Sequence, residues 1–161
     1  MMQIAIGLLL ILLLTALTGY FVAQEFGYVA VDRGKLRRLA DEGDQAAARA
    51  LAVTGRLSFM LSGAQLGITV TVLLVGYVAE PFVGEGLADL LGTAGVSRAV
   101  SLPVSVILVL LLSTVIQMVL GELAPKNLAI ARPERLARAL SRSTLMYLRV
   151  FAPFIRLFDM A

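Results

Sequence analysis

The sequence predicts an all-α integral membrane domain, with three transmembrane helices followed by a basic amphipathic juxtamembrane helix. Three observations lead there. Of 161 residues, 59% are hydrophobic and only 16% charged, where a soluble domain is about 45–50% apolar and about 25% charged. Met1 to Gln24, Leu57 to Ala79 and Ala99 to Gly121 carry no charge at all. The basic residues gather in two of the segments that separate or follow those runs.

The first run is expected to continue as a membrane helix over about residues 4–31. Met1-Met2-Gln3 supplies no basic start and no small-x-small cleavage site precedes the polar stretch, so it is read as retained rather than as a signal peptide. The second helix is placed at 57–79 and the third at 99–124. The two later charge-free runs are 23 residues each, enough to cross about 30 Å of hydrocarbon at about 1.5 Å per residue.

The connecting segments differ in sign. Residues 32–56 hold Arg33, Lys35, Arg37, Arg38, Arg49 and Arg56, and Asp41 to Leu51 reads as a short helix. Residues 80–98 set Glu80, Glu85 and Asp89 against Arg98. With Gly at 84, 86, 92 and 95, this segment reads as an irregular outer loop with one helical turn near Leu87–Leu91. Lys126, Arg132, Arg135, Arg138 and Arg142 follow the third run. By the positive-inside rule, the chain is expected in the cell membrane with its N-terminus outside and C-terminus cytoplasmic.

The tail is read as the juxtamembrane helix, 133–158. Pro133 suits a first helical position. Arg135, Arg142, Arg149 and Arg156 then recur every seven residues, while Leu140, Tyr147, Phe151, Phe154 and Phe158 take another face. Such a helix is suited to anionic lipid headgroups, and Pro153 should kink it. The chain ends at Ala161 without a polar terminus, so a cytoplasmic part is expected beyond it.

Composition also narrows the chemistry. There is no cysteine and no histidine, which removes thiolate and imidazole ligands and points any metal site to oxygen donors and hard cations. No residue pattern suggests an enzyme, and the arginines lie nearer to headgroups than to nucleic acid. Along the spans, polar side chains fall on common faces: Thr15, Thr18 and Glu25; Ser62, Gln65 and Thr69; Thr114, Gln117, Gly121 and the adjacent Glu122. Helical rise puts Glu25 about 11–12 Å inside Arg33, Gln65 about 13–14 Å inside Arg56 and Glu122 about 15 Å before Arg132. Carboxylates at such depth normally face a bundle interior or a watery cavity, so a cation site in the inner half is one reading. Interhelical hydrogen bonding is the other, with Gly63 and Gly67 allowing close helix or protomer approach. Pro125 should free the carbonyl of Gly121, and freed carbonyls at an interrupted membrane helix commonly bind cations. Lys126 is placed to pair with Glu25 or Glu122.

The segment Gly121-Glu122-Leu123-Ala124-Pro125-Lys126-Asn127-Leu128-Ala129 resembles the Gly-Glu-x-x-Pro-Lys-x-x-Ala motif of the CNNM/CorC family, whose bacterial members are often labelled haemolysin-like magnesium transporters. Phe21-Val22-Ala23-Gln24-Glu25-Phe26 sits where that family has its first-helix acidic motif, and Ser62-Gly63-Ala64-Gln65-Leu66-Gly67-Ile68-Thr69 is similar to the second-helix segment of one bacterial branch. The resemblance implies a homodimer. It also implies a dehydrated magnesium site open to the cytoplasm, export with sodium as the coupling ion, and a cytoplasmic CBS-domain pair outside this chain. The family's first-helix serines correspond to Val22 and Gln24, and its second-helix asparagine pair to Ala64 and Gln65. The expected ligand set is therefore Gln24, Glu25, Ser62, Gln65, Gly121 and Glu122, with Pro125 and Lys126 shaping the site. The rival expectation, motivated by Val22 and Ala64, is a membrane regulatory subunit that keeps the fold without transport.

Overall fold

The computed structural model describes residues 2–160, and among them every regular element is helical. The first span is α1 (Met2–Ala30). Asp32 ends the following turn and caps α2 (Arg33–Asp41), its carboxylate accepting from the Lys35 N–H at 3.1 Å. Asp44 does the same for α3 (Gln45–Thr54), accepting from Ala46 and Ala47 at 2.9 and 3.1 Å. Gly43, at φ +97°, turns the chain between them, a left-handed conformation that favours glycine. Residues 32–56 thus form a two-helix hairpin, where the sequence reading gives a single short helix over Asp41 to Leu51.

The second span is longer than expected. Helix α4 (Leu57–Val78) runs through a π-helical turn, Ala79–Gly84, into α5 (Glu85–Thr93), giving a 37-residue apolar stretch. The expected irregular loop at 80–98 is therefore corrected: only residues 94–97 leave the helix. The π-turn absorbs Pro81 by moving hydrogen bonds to the fifth residue back, as in Glu85 N–H to the Glu80 carbonyl. The glycines that read as loop signals serve packing instead. A Cβ on Gly86 would stand 2.6 Å from Ile4, so its absence lets α5 lie against α1.

The third span repeats the device. Helix α6 (Arg98–Ile116) passes through a second π-turn, Gln117–Leu123, into α7 (Ala124–Ala131). The tail is α8 (Pro133–Val150) and α9 (Ala152–Asp159), broken at Phe151 two residues before Pro153. Helix α8 uses the small residues Ala137, Ser141 and Thr144, with Leu148, to pack on the bundle. An Arg138–Asp44 ion pair at 2.6 Å ties it to the hairpin, as does Lys35–Glu134 at 3.3 Å. Its other arginines, at 135, 142 and 149, are exposed.

Two cores result. One, at the arginine-rich end, joins Tyr28, Leu36, Met60, Ala64, Leu148 and Ile155. The other, toward the opposite end, joins Ile11, Val75, Val83 and Val109. Helix α1 runs through both, packing on α4, α7, α8 and both π-turns. Tyr28 anchors it to α8 by donating its hydroxyl to the Ala137 carbonyl at 3.0 Å.

Candidate functional site

Polar side chains from all three spans meet between the two cores. Thr15 donates to Gln117 Oε1 at 2.8 Å, and Gln117 Nε2 donates to Thr18 Oγ1 at 2.7 Å. Thr18 Oγ1 lies 2.7 Å from Thr71 Oγ1, and Thr71 reaches the Gly67 carbonyl at 2.9 Å. All four side chains are buried. Each group finds a partner, so this part of the polar constellation is an interhelical clasp. Thr71 was missed by sequence reasoning, which chose Thr69. Thr69 is exposed, whereas Thr71 shares the packed face of Gly67, four residues away.

Gly67 and Gly63 are used within the protomer. A Cβ on Gly67 would stand 2.6 Å from the Phe21 ring, and one on Gly63 would be 2.9 Å from Leu148 and Ile155. The Gly63 carbonyl accepts the Tyr147 hydroxyl at 2.8 Å. Phe21, Tyr147 and Phe151 then stack in sequence with centroids 4.9 and 5.0 Å apart.

The π-turn at Gln117–Leu123 sits beside this clasp. Its last donor, Ala124 N–H, goes to the Val119 carbonyl. Pro125 has no N–H for Leu120 or Gly121. Both of those carbonyl oxygens lie against α1, at 3.4 and 3.7 Å from where a Gly19 Cβ would stand. The Gln117 amide is 3.4 Å from the Cβ position of Gly121. A widened turn, a proline and a buried glycine thus set the Leu120 and Gly121 carbonyls against Gly19 of α1, next to the clasp. The span is continuous, however: the π-turn absorbs the proline instead of breaking the helix.

The expected ligands are distributed over several places. Glu25, Ser62 and Gln65 line one groove of about 470 Å³, together with Thr69 and Phe158. Ser62 donates to Asp159 Oδ1 at 3.1 Å and Ser58 donates to the same oxygen at 3.0 Å, so a carboxylate from α9 stands at the rim. Sequence reasoning did not single out Asp159, because only the fold returns α9 to α4. Glu122 is exposed in a second groove of about 460 Å³ between α4 and α6, with Ser113, Thr114 and Gln117. Among the described residues, no cluster of three or more acids, histidines or cysteines could hold a metal. A cation here would rely on neutral oxygens with one or two carboxylates.

Gln24 is fully buried, and neither of its amide atoms has a hydrogen-bond partner among the described residues. An unpaired buried amide costs about 1–3 kcal/mol by mutational measures. It lies on the face of α1 that carries Phe21 and Tyr28, three residues before it and four after. Val22 and Ala64 are buried and apolar, so they offer the site no oxygen. Lys126 forms no ion pair with Glu25 or Glu122 among the described residues. Its ammonium instead sits 4.6 Å from the centre of the Phe26 ring, because α7 packs along α1 and brings an aromatic face to it.

The sequence matches the family model for the cyclin M transmembrane N-terminal domain (CNNM) over residues 8–161. It is similar to the UPF0053 protein MT1890 of Mycobacterium tuberculosis, with 42% identity over 93% of this chain and 33% of that protein. It is 37% identical to the uncharacterized protein MT1889 of the same organism, over 98% of this chain and 45% of that one. With the UPF0053 protein YrkA of Bacillus subtilis it shares 37% identity over 93% of this chain and 35% of the relative. The chain therefore spans between a third and a half of the length of these relatives.

Proposed function

The chain belongs to the CNNM family of membrane domains, and from that premise we propose that it carries a divalent cation, magnesium, across the membrane. The observation that supports this most is the π-turn at Gln117–Leu123 with Pro125 behind it. It leaves the Leu120 and Gly121 carbonyls without their usual donors, beside a buried polar centre. In this reading Gly121 supplies a backbone oxygen. Gln24, Glu25, Ser62, Gln65 and Glu122 are the further candidates. Glu25, Ser62 and Gln65 line one groove and Glu122 another, so helix movement is needed to bring them onto one ion. The protomer rocks between inner-open and outer-open states around this region, working as a dimer with sodium as the coupling ion.

Thermal unfolding of the purified chain with and without millimolar magnesium tests the reading. Magnesium raises the midpoint of the native chain, and Glu122→Ala and Gln65→Leu reduce that rise. No rise in the native chain, with both variants unchanged, overturns it. A second reading, a non-transporting regulatory subunit, is favoured by one observation: Glu25 and Glu122 line different grooves. Flux into proteoliposomes separates the two, since a regulatory subunit leaves magnesium and sodium gradients undisturbed.

A further inference from the structure

We propose that Arg56, Arg149 and Arg156 form a discrete site for a phosphate-bearing anion at the arginine-rich end of the spans. The three line one cavity of about 300 Å³, whose apolar side is Phe59, Leu145 and Leu148. They come from three elements. Arg56 is the residue before α4, Arg149 lies in the last turn of α8, and Arg156 lies on α9. The break at Phe151 and the packing of α9 on α4 bring them together.

These guanidiniums are free of protein partners. The ion pairs among the described residues use Lys35, Arg98 and Arg138. Arg33 and Arg49 donate to Thr54 and Ser141. None of the three guanidiniums of the cavity makes an ion pair or hydrogen bond among the described residues, and that of Arg56 only rests over the Phe59 ring at 5.9 Å. The nearest acid on α9, Asp159, is engaged by Ser58 and Ser62. Three like charges around one cavity repel one another, and an anion relieves that repulsion.

Guanidinium forks match the paired oxygens of a phosphate. The cavity is larger than a simple ion requires, and its apolar side suits the glycerol and upper acyl carbons of a phospholipid. A lipid headgroup and a soluble phosphoryl compound share this chemistry. The site does not depend on the cation-transport reading.

The test is isothermal titration of the full chain in neutral detergent with dihexanoylphosphatidylglycerol, dihexanoylphosphatidylcholine and inorganic phosphate. The proposal expects saturable binding of phosphatidylglycerol, at least tenfold tighter than phosphatidylcholine. Saturation by inorganic phosphate as well assigns recognition to the phosphate alone; binding of the lipid only assigns it to the headgroup in its membrane setting. The double variant R149Q/R156Q, and separately R56Q, weaken binding by about tenfold or more, the scale of one charge-assisted contact. The charge-matched R37Q/R38Q, on α2 and outside the cavity, leaves it unchanged. Absence of saturable binding by the native chain, equal binding of the zwitterionic lipid, or equal weakening in R37Q/R38Q and R149Q/R156Q overturns the site. The first two readouts use the native chain, so they decide even if a variant misfolds.

Discussion

At the residue scale, the most informative side chain is Gln24, whose amide is buried without a partner. If that amide serves a cation, Gln24→Met separates stability from binding. In magnesium-free buffer the variant melts at or above the native temperature, because an unpaired amide costing about 1–3 kcal/mol has gone. Its magnesium-dependent shift, read by circular dichroism, shrinks. Gly67 tests the packing. Gly67→Ala puts a methyl 2.6 Å from the Phe21 ring and destabilises by about 1–3 kcal/mol, as overpacking does. Thermal melts of the two variants check both outcomes. The candidate residues could be found in the sequence because polar groups are rare in apolar spans. Which of them are clasped and which are free was not legible. Thr15 and Thr18 look no different in sequence from Thr69, yet the first two are bonded across helices and the third faces outward.

At the element scale, the two π-turns explain how Pro81 and Pro125 sit in continuous spans. Pro125→Ala restores a donor and allows the ordinary helical register. It raises the melting temperature and lowers any magnesium-dependent shift, because the Gly121 carbonyl regains its partner. Parallel melts with and without magnesium check this. The hairpin offers a pH readout. The Ala47 N–H, with Arg138 and the Ala46 N–H beside it, holds the Asp44 carboxyl below its ordinary value. A depressed carboxylate contributes stability that is complete above its unfolded pKa, about 3.9, and is lost as pH falls through the folded value. Hydrogen exchange of the α3 amides therefore accelerates as pH drops below about 4, beyond the intrinsic trend. In Asp44→Asn the step is absent. Sequence patterns pointed to three long apolar helices, but misread 80–98. Glycine and proline signal a loop in water, whereas here the glycines allow close helix packing and the π-turn absorbs the proline.

At the scale of the whole molecule, membrane orientation is directly testable because the chain has no cysteine. In right-side-out cells, Gly92→Cys is expected to react with an impermeant maleimide, and Ala46→Cys only after permeabilisation. Reversed labelling inverts the orientation expected from the basic residues. The sequence alone determined the class of molecule, since three long apolar, uncharged stretches satisfy their backbone only as helices in a membrane. It also determined the basic face of the tail and the motif around Gly121. The tertiary structure decided which polar atoms meet. It closed Thr15, Thr18, Thr71 and Gln117 into one clasp, set Glu25 and Glu122 in separate grooves, and carried α9 back to place Asp159 beside Ser62. Helical periodicity fixes the face on which a side chain stands along its own helix. The partner it meets depends on how neighbouring helices rotate and cross, and that is set by small-residue contacts such as Gly67 on Phe21 that are long-range in sequence.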